Sequence, residues 1–257
     1  MALTKVIGDG LGGTNDLTVD TTTLTVDATN DLVGIKTATP SDMYYNELVV
    51  NSGDEGGITI LDTSSGQSAI AFADGTSGNA RYRGRILYDH NTDSLSIGTA
   101  GEQYWTMDSA HIITTPKQPA FGAIGSSAPT MPINTTYVLP LDTERFDQNG
   151  DYNTSNYTFT APVTGRYQLN GSIYLYNYLD TSAGYIIFTL RTSNDEYQYP
   201  VQASMFGSDI GSFGMNISHL VDMDASDTAV IDIFQQAGAA QTSISGGHSH
   251  FTGFLVA

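Results

Sequence analysis

The chain has 257 residues and a mass of 27.4 kDa, room for one large all-β unit or two modest domains. Twenty-seven acids against nine bases give a net charge of −18, which argues against free nucleic acid as a partner, because phosphate would be repelled. With 40% hydrophobic residues and no cysteine, wholesale disorder, a disulfide scaffold, thiolate chemistry and zinc-finger sites are excluded as well.

The opening Met1-Ala2-Leu3-Thr4-Lys5 leads into Gly and Asp and not into an apolar run, and no stretch is long and apolar enough to cross a bilayer. The expectation is synthesis in a cytosol without membrane insertion. The acid excess is even, with −9 in residues 1–120 and −9 in residues 121–257. Such a surface is a solvated acidic coat, and it could recruit divalent cations.

Residues 1–30 hold few large apolar side chains and a near-repeat, Leu17-Thr18-Val19-Asp20 and Leu24-Thr25-Val26-Asp27. Thr and Val disfavour a coiled coil, so the expectation is a short strand repeated against copies on other chains, in a segment that needs a partner. Residues 31–118 read as a module of small strands at 32–36, 47–51, 57–61, 69–73, 83–88, 94–97 and 103–107, joined by Gly, Asp and Asn turns. That is little core for one chain, which suggests several chains pooling their apolar faces. Pro116 and Pro119 mark a boundary. Residues 120–257 are more aromatic, with strands expected near 137–140, 157–160, 165–179, 184–192, 197–203, 211–222, 229–235 and 248–256, enough for a two-sheet sandwich.

The plainest alternation runs over 166–179. Tyr167, Leu169, Ile173, Leu175 and Leu179 share one face and belong in the core; Gln168, Asn170, Ser172, Tyr174, Tyr176 and Tyr178 share the other. Three tyrosines in a row suit a subunit interface, with a sugar-stacking platform as the other use.

Phe159-Thr160-Ala161-Pro162-Val163-Thr164-Gly165-Arg166-Tyr167 resembles the F-t-a-P-x-x-G-x-Y stretch of complement C1q-type globular heads. Asp147, Tyr152, Phe159, Pro162, Gly165 and Tyr167 fall on that family's offsets. Asp227-Thr228-Ala229-Val230 and Phe251-Thr252-Gly253-Phe254-Leu255-Val256 resemble its later g-D-x-V and closing F-s-G-f-l-l elements, with Phe251 and Gly253 on the signature. Leu141, Leu169 and Gly171 stand where the family has aromatics. The resemblance covers residues 120–257 and implies a ten-stranded C1q/TNF-like jelly roll that trimerises.

Residues 32–40 with 47–50, and Ile70–Gly75, Tyr82–Asp89 and Ser94–Gly98, resemble elements of phage tail fibres and spike shafts. The opening residues are similar to the starts of structural proteins of marine and cyanobacterial phages. Together these resemblances imply a virion fibre or spike: residues 1–30 docking on other virion proteins of the capsid or tail, residues 31–118 an intertwined trimeric shaft or base, and residues 120–257 a knob that meets a host-surface glycan or protein. Loops at 180–183, 204–209 and 238–247 are its expected tip. A capsid decoration or cement protein and a polysaccharide-degrading spike are the alternatives.

Enzyme signatures are sparse. Asp195/Glu196 and Asp222/Asp224 are better read as solvated turn residues than as a glycosidase pair. Gly207-Ser208-Asp209 and Gly246-Gly247-His248-Ser249 do not reproduce G-x-S-x-G, and Gly8-x-Gly10-x-Gly12-Gly13 lacks the strand and helix of a phosphate cradle. The expectation is a non-enzyme. His248 and His250, two apart on a strand, could converge on a threefold axis as a transition-metal site, or be a hydrogen-bonded pair beside a Gly turn. Asp222, Asp224 and Asp227 are a calcium candidate without a dedicated loop signature. No cofactor is called for with certainty. Arg81, Arg83 and Arg85 alternate as on one strand face, and intermolecular ion pairing is their expected use in a chain so rich in acids.

Overall fold

The computed structural model describes residues 17–19, 23–27, 29–45, 47–51, 56–127, 129–238 and 243–257, with the backbone alone at 17–19, 27, 177, 178 and 243. Among them every regular element beyond short 3-10 turns is a strand, as the Thr, Val, Ile and Tyr runs broken by Gly, Asn and Asp dictate. By compactness the chain divides into two units, Met1–Ala69 with Asp89–Asn91, and Ile70–Tyr88 with Thr92–Ala257.

In the first unit, β1 (Leu17–Val19), β2 (Leu24–Asp27), β3 (Leu32–Ile35) and β4 (Leu48–Val50) form one sheet in chain order. The two copies of the Leu-Thr-Val-Asp repeat are β1 and β2, and they pair antiparallel with each other, Leu17 opposite Val26 and Val19 opposite Leu24. This corrects the expectation that the repeat pairs with other chains: within one chain the second copy supplies an antiparallel partner to the first. β2 continues antiparallel onto β3, and β3 runs parallel to β4. Leu32 and Pro40 are buried beneath this sheet's turns, and the Thr25 hydroxyl donates to the Thr37 carbonyl at 3.1 Å. Residues 57–61 are not a strand; Ile58 and Leu61 stand 70% and 90% exposed.

β5 (Gln67–Phe72), β6 (Gly84–Asp89), β7 (Ser94–Thr99), β8 (Glu102–Met107) and β9 (Ile113–Thr114) make a second sheet in sequential order, and the division between units runs through β5. Tight turns with left-handed residues, Asp93 before β7 and Ala100 and Gly101 before β8, keep neighbours adjacent.

The remaining strands build a sandwich. They are β10 (Ala120–Ile124), β11 (Tyr137–Val138), β12 (Thr143–Asp147), β13 (Tyr152–Asn153), β14 (Thr158–Thr160), β15 (Gly165–Leu179), β16 (Ile186–Thr192), β17 (Glu196–Val201), β18 (Ile210–Met223), β19 (Thr228–Gln235), β20 (Ser243–Ile244) and β21 (His250–Leu255). One sheet has the order β12-β10-β21-β15-β18, with β20 added to β15; the other has β13-β14-β19-β16-β17, with β11 added to β19. From β14 onward the chain crosses repeatedly between the sheets, and all the strand pairings are antiparallel. Two sheets wound this way, each a path of five strands with a sixth added, are a jelly roll. The core lies between them, with Tyr167, Leu169, Leu175, Phe188, Leu190 and Ile233 fully buried. β17 is an edge strand and carries Pro200 opposite Ile187.

Candidate interaction surface

The alternation in β15 places its aliphatic face inside, so Gln168, Asn170, Ser172, Tyr174 and Tyr176 face outward. Register extends this outer face across the sheet. Gln168 lies between Phe254 of β21 and Leu220 of β18; Asn170 lies between Thr252 and Ser218; Ser172 lies between His250 and Asn216. At its centre the Gln168 amide donates to Ser218 Oγ at 2.9 Å, and that hydroxyl donates to Asn170 Oδ1 at 2.8 Å. Around this polar centre Phe254, Leu220 and Phe146 are each about half exposed, at 47%, 54% and 51%. The Phe146 ring covers Gly122, where a Cβ would come within 2.8 Å of it. Tyr174 is 36% exposed with its ring centroid 5.4 Å from that of His248, and Tyr176 is partly buried. The backbone of Tyr178 belongs to β15; its side chain lies outside the described residues.

The residues on the C1q-like signature organise the core behind that face. The Asp147 carboxylate accepts from the backbone amides of Asn149, Gly150, Asp151 and Tyr152 at 2.8–3.3 Å, clamping the turn from β12 to β13. Tyr152 donates its hydroxyl to the Leu141 carbonyl at 2.9 Å, and burial pushes its phenol well above the usual range. Tyr167 donates to the Val163 carbonyl at 2.7 Å across the turn that carries Pro162. Phe121 is the hub: its ring stacks on Phe159 and Tyr152 at 4.5 and 5.3 Å and meets Phe251 edge-on at 4.9 Å. Gly253 permits this packing, since a Cβ there would lie 2.5 Å from Leu169 and 2.7 Å from the Phe121 ring. Gly165 is similarly confined by Ala257 and Leu255.

The other candidates are placed as follows. The strand that was to carry three arginines starts only at Gly84. Arg81 sits in a 3-10 turn, Gly78–Tyr82, and Arg83 follows it in helical geometry, so the three do not share a strand face. Gly78, with φ at +53°, releases the chain into that turn, which sequence alternation alone conceals. Arg83 pairs with Asp74 of its own chain at 3.3 Å, and Arg85 lies 5.2 Å from the Tyr82 ring centre. His248 likewise precedes its strand, in the 3-10 turn Gly246–His248, with Nδ1 2.8 Å from Ser245 Oγ; only His250 is on β21. Among the described residues no three His, Asp or Glu side chains converge.

Asp227 accepts from Ser193 Oγ at 2.8 Å, from the Asp224 amide at 2.7 Å and from the Asn194 side chain, and these bonds hold its carboxyl below the usual range. Asp222 faces Arg166 at 3.5 Å, and Glu196 is held by Arg191. Asp222 and Asp224 line a depression of about 310 Å³ with Thr164 and Asn194. These acids serve turns, with their oxygens directed at amides and guanidinium groups. Thr181 donates its amide and hydroxyl to Asp209, so two of the three expected tip loops are tied together; residues 239–242 of the third lie outside the described residues.

Sequence reasoning missed β10, and with it Phe121. The run Ala120-Phe121-Gly122-Ala123-Ile124 does not alternate polar and apolar residues, because Gly122 gives its outward place to the Phe146 ring.

No protein-family model matches this sequence, and neither does any curated protein. Among solved structures, the globular domain of zebrafish complement 1qA protein aligns at 16% identity and a TM-score of 0.40, covering 55% of this chain and 98% of that one. Crystal structures of murine APRIL at pH 8.0 and pH 5.0 align at 8% identity with TM-scores of 0.40 and 0.39, each covering 55% of this chain and all of theirs. The jelly roll itself rests on strand order and register.

Proposed function

We propose that this chain is a non-enzymatic structural protein of a virion, a phage fibre or spike, built as a homotrimer. Its first 30 residues would dock on capsid or tail proteins, and its jelly roll would present the loops at 180–183 and 204–209 to a host-surface glycan or protein. The observation that carries the self-association is the outer face of the β12-β10-β21-β15-β18 sheet. There Phe146, Phe254, Leu220 and Tyr174 ring a polar centre whose hydrogen bonds are already satisfied within the chain. A face of that composition is a protein interface more readily than a solvated surface. Cyclic copies would cover it, and trimeric presentation would give weak knob contacts avidity. The fibre and spike resemblances of residues 32–98 supply the virion setting.

Light scattering of the purified chain tests the assembly: a mass three times that of one subunit is expected, and a stable 27.4 kDa species overturns it. Labelled protein should then decorate host cells and leave their polysaccharide at full length. Shortened chains would overturn the non-enzymatic reading.

A further inference from the structure

We propose that the open face of the β6–β9 sheet is a docking face for further copies of this same chain. The proposal rests on the self-association above and adds a second contact region, outside the jelly roll.

The two faces of this sheet are unequal. On one, Leu87 and Ser96 are buried to 5% and 2%. On the other, register sets Ile97 opposite Trp105, Leu95 opposite Met107, and Met107 opposite Ile113. Tyr88 joins them, because it lines a 330 Å³ groove with Leu95 and Met107, and Ile86 is two residues before it. This second face is apolar from strand to strand, yet Ile86, Tyr88, Ile97 and Ile113 remain 37–53% exposed. Apolar side chains on neighbouring strands thus stand together at the surface, the pattern of an interaction site rather than of singly scattered residues.

Charge identifies the occupant. Residues 1–69 carry a net −8 and residues 120–257 a net −9, so identical copies repel through both regions. Residues 70–119 hold five acids and four bases, a net of −1, and four of the nine bases of the whole chain. This region adds least to the repulsion between copies, with Asp93 and Asp108 at its groove set beside His111. Pairs such as Arg83–Asp74 and Lys117–Glu102 lie exposed in this region, able to exchange between chains. A strongly basic partner would be drawn to the other two regions instead.

Trp105 is the only tryptophan in the chain and lies on this face, which makes the test direct. Emission should be blue-shifted at concentrations where light scattering finds the multimer, and should move to the red, with a rise in acrylamide quenching, as the protein is diluted to monomer. Ile97→Asp should weaken association about 100-fold or more, because each copy would bury an unpaired carboxylate. Far-UV circular dichroism establishes that this variant folds, and the wild-type emission experiment stands without it. If the multimer forms while Trp105 emission is indifferent to dilution and Ile97→Asp associates normally, this face is not the contact, although the trimer survives. If the wild type never associates, both fall.

Discussion

Beyond residue 119 the chain packs Phe121, Tyr167, Phe188, Phe251 and a full set of aliphatic side chains between two sheets. Before it, among the described residues, Leu32, Pro40 and Leu87 are the only buried apolar side chains, while Tyr44, Leu48, Ile58, Leu61, Ile70 and Phe72 are at least half exposed. The two regions use similar strand-forming residues. What marks the jelly roll is layering: its two sheets close on each other over a shared core. A fold can be complete in its hydrogen-bond ladders and still be incomplete in its burial.

Substitutions can break or sharpen that contrast. Phe121→Ala should have the largest effect, about 3–5 kcal/mol in urea unfolding, because it removes the ring that three others pack on. Leu61→Ser should stay within about 0.5 kcal/mol in the same assay below the concentration of self-association, since its side chain has little to lose. Equal effects would mean that the early region has a core of its own. Gly253→Ala should cost about 1–3 kcal/mol, because the added methyl meets Leu169 and Phe121 at contact distances that cannot be kept. Asp147→Ala should lower stability by about 1–2 kcal/mol, leaving four amides at the β12–β13 turn without their acceptor.

One further effect has the opposite sign. Burial, and then the charge of Asp147, push the Asp151 carboxyl above its ordinary value. Its folded pKa therefore exceeds its unfolded one. Ionisation costs stability above the folded pKa, and the cost disappears as pH falls through that value. Asp151→Asn should raise stability at neutral pH by up to about 1 kcal/mol, allowing for screening by water. The gain should vanish in acid, where both side chains are neutral. Thermal melts at pH 7 and pH 3 separate the two cases.

Much of the jelly roll was legible in the residues. The alternation over 165–179 gave β15 and its inner face, and the Phe159–Tyr167 stretch located the turn from β14 into β15. β10 was not legible, because its outward glycine is filled from the neighbouring strand. The arginine row did not form because i, i+2 spacing implies a shared face only inside a strand, and Arg81 lies in a 3-10 turn; His248 lies in such a turn too, hydrogen-bonded to Ser245 beside Gly246 and Gly247, which is one of the two readings its spacing left open. The outer face of β15 was legible as tyrosine-rich, but its partners Phe254, Leu220 and Phe146 come from distant strands and needed the register to be found.

Pro200 has a wider consequence. It sits on β17, the outermost strand of its sheet, and lacks the amide proton that a docking strand would seek. A chain with this much uncovered apolar surface would otherwise be open to endless growth, each molecule adding a strand to the last. With that border blunted, attraction is steered through flat surfaces, whose geometry can close on itself after a few members.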